Sequence, residues 1–219
     1  MIFVASEKEI GHAVLLESLG IHQLEKVKGQ PFDSVMSPGK DMIYIGTLNG
    51  NTIICTQDIP SESLDASMSP AEMEMSARFD QADIVTFVLH STVNLWGYSI
   101  VQNGQKIRVR AGSADNGTIL EYGAPLEEEK GLLSQSSINE SGERVFKFDD
   151  LPNEEFTDDQ VGENFVFAIS ANYFGEQLDH SDKIFETEFD GYIFSRHKLA
   201  LASSFDEKVT SKKPWWKFW

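Results

Sequence analysis

Residues 83–122 read DIVTFVLHSTVNLWGYSIVQNGQKIRVRAGSADNGTILEY, and their punctuation decides the fold. Runs of β-forming residues at 97–102, 106–111 and 118–122 are separated by Asn103-Gly104 and Asn116-Gly117. Asn-Gly is the strongest short hairpin signal, because a type I′ turn needs two residues that tolerate positive φ. The first run is therefore expected to pair antiparallel with the second, and the second with the third. The apolar run 83–90 ahead of them supplies another strand. A third pair, Asn49-Gly50, predicts a hairpin between 42–46 and 52–56.

Helices are expected between these strand groups. Residues 2–5 form a short apolar strand, and Ser6 with Glu9 reads as a capping box opening a helix. Its inward face carries Ile10, Val14, Leu15 and Leu19, and Gly20 stops it. Ser69-Pro70-Ala71-Glu72 starts a second helix, with Pro at the first helical position and Met73 and Ala77 facing inward. A third starts at Thr157, with Gln160 in the box position. It runs through Val161, Phe165, Ala168, Ile169 and Asn172 towards Gly175, apolar nearly all round its middle and so buried on more than one side. A late strand spans 190–196. Strands grouped in hairpins with about three helices between the groups give an α+β fold with a mainly antiparallel sheet. Residues 1–205 are expected to form one domain, followed by a linker and tail at 206–219.

That tail is unusual. Residues 212–219, KKPWWKFW, hold three of the four tryptophans and carry only lysines as charged side chains. The chain as a whole bears a net charge of −17, and within it residues 121–190 hold 19 Asp/Glu against 4 Lys/Arg. Nucleic acid is excluded as a partner, since phosphate binding needs a basic stripe that releases counterions. An acidic surface suits a basic protein instead. Trp215, Trp216, Phe218 and Trp219 are expected to serve as a docking tail for a pocket on this protein, a second copy or another partner; contact with an anionic membrane surface is the less favoured competitor, and an idle chain end the remaining alternative. One cysteine, Cys55, rules out an intrachain disulfide and fits a reducing cytoplasm. The start of the chain has neither the basic region nor the length of a signal peptide, and no window approaches a membrane span. A cytoplasmic location is expected.

Motifs for chemistry are sparse. Neither a phosphate-binding glycine loop nor G-x-S-x-G is present, so no cofactor is expected. The histidines His12, His22, His90, His180 and His197 never fall at the i, i+4 spacing of a helical zinc pair, and no metal is expected. Asp179 and Asp182 around His180 read as a solvated loop, and Cys55 as a packing residue of a buried strand. His90, at the end of an apolar strand, is the one candidate general base, with Glu121 as the carboxylate to orient it. Arg108 and Arg110 alternate with Ile107 and Val109, so both project from one strand face. Together His90, Arg108, Arg110 and Glu121 would make a small carboxylate-handling or anion-binding face.

Residues 90–127 resemble a bacterial family of unknown function found mainly in actinobacterial genomes. The pattern is His90-Ser91, Val93, Trp96, Gly104, Arg108 or Arg110, Ser113, Asn116-Gly117, Ile119, Gly123 and Pro125. The chain departs from it at Asn94, where the family has aspartate, and in the tail. The resemblance implies a shared fold and a marked region around His90, and it implies no activity. The leading expectation is accordingly a non-enzymatic binding module with an acidic face and an aromatic docking tail. The alternative is a small-molecule binder or hydrolase-like enzyme built on the His90 face.

Overall fold

One antiparallel sheet organises the chain. The computed structural model describes residues 1–5, 11–180 and 182–196. In chain order its strands and helices are β1 (Ile2–Val4), α1 (His12–Ser18), β2 (Ile21–Pro31), α2 (Phe32–Val35), β3 (Met42–Leu48), β4 (Asn51–Cys55), α3 (Asp58–Glu62), α4 (Pro70–Arg78), β5 (Ile84–His90), β6 (Leu95–Gln102), β7 (Gln105–Ser113), β8 (Gly117–Tyr122), α5 (Glu127–Leu133), β9 (Ser136–Ile138), β10 (Arg144–Phe146), β11 (Phe156–Thr157), α6 (Asp158–Phe174), α7 (Asp182–Phe185) and β12 (Glu188–Arg196). Nine strands join in the order β2-β12-β3-β4-β1-β5-β6-β7-β8, and β11-β10-β9 form a small second sheet. The short strand β1 lies in the middle, antiparallel to both β4 and β5.

Two of the three Asn-Gly hairpins form as read. Asn49 and Gly50, like Asn103 and Gly104, all have positive φ, the type I′ requirement. At the third, only Gly117 does, and Ser113 pairs with Gly117 itself. The loop there is one residue longer, with the left-handed glycine closing it.

Helices cover both faces of the large sheet, so the fold is α+β in three layers. On one face, Val85, Phe87, Trp96, Tyr98 and Ile100 pack against Val161, Phe165, Val166 and Ile169 of α6. On the other, Ile54, Ile84 and Val101 meet Leu15 and Leu16 of α1, Ile59 of α3, Met75 of α4 and Phe79 just after it. Helix α6 begins at Thr157 and ends on left-handed Gly175, as expected, and it is buried along Val161, Phe165, Val166, Ile169 and Phe174. Asn172 on it is exposed.

Several helix faces need correction. Val14 is exposed, and α1 turns Leu15, Leu16 and Leu19 inward instead. The proposed capping box on Ser6 and Glu9, and Ile10 with it, lies outside the described residues. The capping box of Ser69 and Glu72 is present in α4, but Met73 and Ala77 are exposed, and Ala71, Glu72, Met75 and Phe79 face the sheet. Glu72 is the reason: its carboxylate is committed to a buried lysine, which fixes the rotation of the helix.

Candidate functional site

Strand register decides which side chains meet. Tyr98 lies opposite Arg110, Ile100 opposite Arg108, and Arg110 opposite Glu121. Side chains directly opposite in an antiparallel pair share a face, so both arginines and Glu121 project towards α6. His90 does not join them. Leu89 pairs with Trp96 and His90 with Leu95, and since Trp96 is on the arginine face, His90 points to the other side, where it is exposed. The four-residue face expected from the sequence is therefore split between the two sides of the sheet.

Neither arginine offers an open surface, for both are fully buried. The Arg108 Nε donates to Glu129 Oε2 at 2.9 Å, and Nη2 to Glu121 Oε1 at 3.0 Å. Its Nη1 donates to the Gly123 carbonyl at 2.8 Å. Glu129 stands in the first turn of α5, where it also accepts the Leu126 backbone N–H at 2.7 Å and the Tyr98 hydroxyl. Arg110 donates from Nη2 to Asp158 Oδ1 at 2.7 Å, and Thr118 donates to the other oxygen of Asp158, the first residue of α6. Its guanidinium lies 4.2 Å from the centre of the Phe165 ring and 5.3 Å from that of Trp96. The two arginines thus fasten the starts of α5 and α6 onto β7.

Glu121 lies at the rim, its side chain about one-third exposed. It reaches Arg108 and stands 3.9 Å from Arg110 Nε and 3.8 Å from Arg144 Nη1. Burial works against its ionised form, but the hydrogen bond from Arg108 and the charges of Arg110, Arg108 and Arg144 prevail and hold it below its ordinary 4.5.

Trp96 occupies a slot between two glycines. A Cβ on Gly162 would come within 2.1 Å of the indole and one on Gly112 within 2.6 Å, so α6 and β7 approach the ring as only glycine allows.

A second buried ionic network was hidden in the sequence. Lys106 Nζ lies 2.9 Å from Glu72 and donates to the carbonyls of Ser63, Asp65 and Ser67 at 2.8, 2.9 and 2.8 Å. Ser99 donates to the same carboxylate at 2.6 Å. A bulge makes this possible. Lys106 pairs with Val101 and Arg108 with Ile100, leaving Ile107 over, so residues two apart on β7 face opposite sides. Burial lowers the lysine below its ordinary 10.5, against the pull of Glu72 and Asp65.

Cys55 is fully buried, and burial pushes its thiol up to about 12, against the pull of the chain's amino end, which leaves no thiolate for catalysis near neutral pH. His180 is exposed beside Asp179 at 3.2 Å. Among the described residues, no three His, Cys, Asp or Glu side chains gather as a metal-holding group, and no helix is long and apolar enough to cross a membrane. Trp215, Trp216, Phe218 and Trp219 lie outside the described residues.

Glu129 and Asp158, the principal partners of the two arginines, escaped the sequence reading. Both are acids in the first turn of a helix, where a carboxylate already has an ordinary capping role. The one signal for them was two arginines on an otherwise apolar strand, which require acids from somewhere.

A family described as a family of unknown function (DUF6928) matches residues 4–138. No curated protein and no solved structure matches. The matched segment runs from β1 to β9 and contains Arg108, Arg110, Glu121 and Glu129, whereas Arg144, Asp158, α6 and β12 follow it. The match spans more than half of the chain, which belongs to this family.

Proposed function

We propose that this member of DUF6928 is a non-enzymatic binding module whose acidic surface meets a basic protein partner. The observation that carries this reading is where the acids stand. Of those in residues 121–190, only Glu129 and Asp158 are buried, and the rest turn wholly or partly outward. Between β10 and β11, a single loop exposes Asp149, Asp150, Glu154 and Glu155 around the exposed Leu151, an apolar contact inside an acidic rim. Such a patch steers a basic partner and fixes its register. The enzyme alternative loses its support, since His90 and Glu121 are on opposite sides of the sheet. In a reducing cytoplasm, the location we favour, Cys55 stays a thiol.

Trp215, Trp216, Phe218 and Trp219 serve in this reading as a second anchor for the same partner. The test is affinity capture from the organism's own lysate at low salt, with a variant carrying Asp149→Lys, Asp150→Lys, Glu154→Lys and Glu155→Lys. We expect the native protein to retain a basic protein that the variant loses, and deletion of residues 212–219 to weaken retention without lowering the melting temperature. Equal retention by the native protein and the loop variant defeats the reading.

A further inference from the structure

Donors without acceptors mark a site between β8, β10 and the start of α6. Arg110 is fully buried, yet its Nε and Nη1 have no hydrogen-bond partner, and the buried Nη1 of Arg144 has none either. Guanidinium N–H groups are almost always satisfied when withdrawn from water, so three idle ones need an explanation. Two of them converge on one atom. Glu121 Oε2 lies 3.9 Å from Arg110 Nε and 3.8 Å from Arg144 Nη1, near enough for attraction and too far for a hydrogen bond.

With Glu121 turned away, the surroundings favour an anion. Three guanidiniums, Arg108, Arg110 and Arg144, meet three carboxylates, Glu121, Glu129 and Asp158. The first turn of the 17-residue α6 adds its positive end beside Asp158. Glu121 is the most exposed carboxylate of this set, and its one hydrogen bond, from Arg108, can be given up. If it turns outward, Arg108 keeps Glu129 and the carbonyls of Tyr122 and Gly123. The side chains of Glu121 and Arg144 are 32% and 29% exposed, so the place is reached from solvent.

We propose that Arg110 and Arg144 bind a small oxyanion, a carboxylate or a phosphate, whose oxygens take the Arg110 Nε–H and the Arg144 Nη1–H while Glu121 swings out. Glu121 is a placeholder that keeps the arginines charge-balanced until the ligand replaces it. Two charged donors from different arginines suit both anions, since one oxygen can accept from Arg110 Nε and another from Arg144 Nη1. This site is separate from the acidic surface, and either reading can fail alone.

The test titrates the purified chain with sodium acetate and with sodium phosphate at pH 7, against sodium chloride at matched ionic strength. Binding is followed by calorimetry and by the arginine Nε–H resonances in NMR. We expect saturable binding that moves the Arg110 Nε–H signal. Glu121→Gln removes the competing charge and should tighten binding about tenfold or more, as expected for loss of a like charge at contact distance. Arg144→Gln, at the partly exposed edge, should abolish binding while circular dichroism shows the fold intact. Preference for one anion identifies the ligand's head group. The proposal is overturned if neither the native chain nor Glu121→Gln binds beyond the chloride control, or if Arg144→Gln binds as well as the native chain, which would mean an adventitious ion only.

Discussion

Glu129 is the residue on which the buried arginine cluster most depends. Removing it leaves Arg108 charged, buried and short of its strongest acceptor, and leaves the Tyr98 hydroxyl unpaired. Breaking one side of a buried ion pair costs about 3–5 kcal/mol, so Glu129→Ala should lower the urea midpoint steeply. A double change to Glu129→Leu with Arg108→Met should recover much of the loss, because no charge is then stranded. Glu121 behaves differently. Its folded-state value is below the ordinary 4.5, so as pH falls the unfolded chain takes up the proton first. The stability it contributes is complete above about 4.5 and drains away as pH descends through the lower folded value. Acid unfolding curves of Glu121→Gln should decline more gently over that window than those of the native protein, by a small margin given its exposure. That Arg108 and Arg110 share a face was readable from their spacing. Their partners were not, because Glu129 and Asp158 lie 21 and 48 residues further along the chain and meet them only through tertiary packing. The side taken by His90 was unreadable for a related reason: it depends on the β5–β6 register, which the turn at residues 91–94 sets.

Helix α6 carries an inversion of ordinary helix propensity. Ala normally outranks Gly inside a helix by about 1 kcal/mol, yet at Gly162 the added carbon would meet the indole of Trp96 at 2.1 Å. Gly162→Ala should therefore destabilise by roughly 1–3 kcal/mol as overpacking outweighs propensity, which thermal melting would register as a lower midpoint. A gain in stability there would contradict the packing described for the Trp96 slot. At this scale much was legible. Turn chemistry located the hairpins at Asn49-Gly50 and Asn103-Gly104, and capping signals located the starts of α4 and α6. Strand β2 was missed. It holds three lysine or glutamate residues among few apolar ones, Gln23 has positive φ, and its pairing with β12 is broken by two register shifts. An irregular, polar edge strand of that kind has no period-2 signature to read.

Across the described residues, charge separates by depth. Among the described residues, buried acids are spent on buried bases, Glu72 on Lys106, Glu129 on Arg108 and Asp158 on Arg110, while the other acids whose burial is described turn wholly or partly outward. The net charge was plain in the sequence. Its division into three neutral internal clamps and an acidic exterior was not, because composition does not distinguish a carboxylate facing water from one facing arginine. This division is why the proposed protein partner is assigned to the surface. The direct measurement is the affinity of the purified chain for the basic protein it captures, followed from roughly 0.05 M to 0.5 M salt, over which the screening length contracts severalfold. The account predicts that binding weakens steeply with salt, mainly through a slower association rate, and that the four-lysine loop variant removes that dependence. Affinity that stays constant across this range, or the absence of any captured partner, would contradict it.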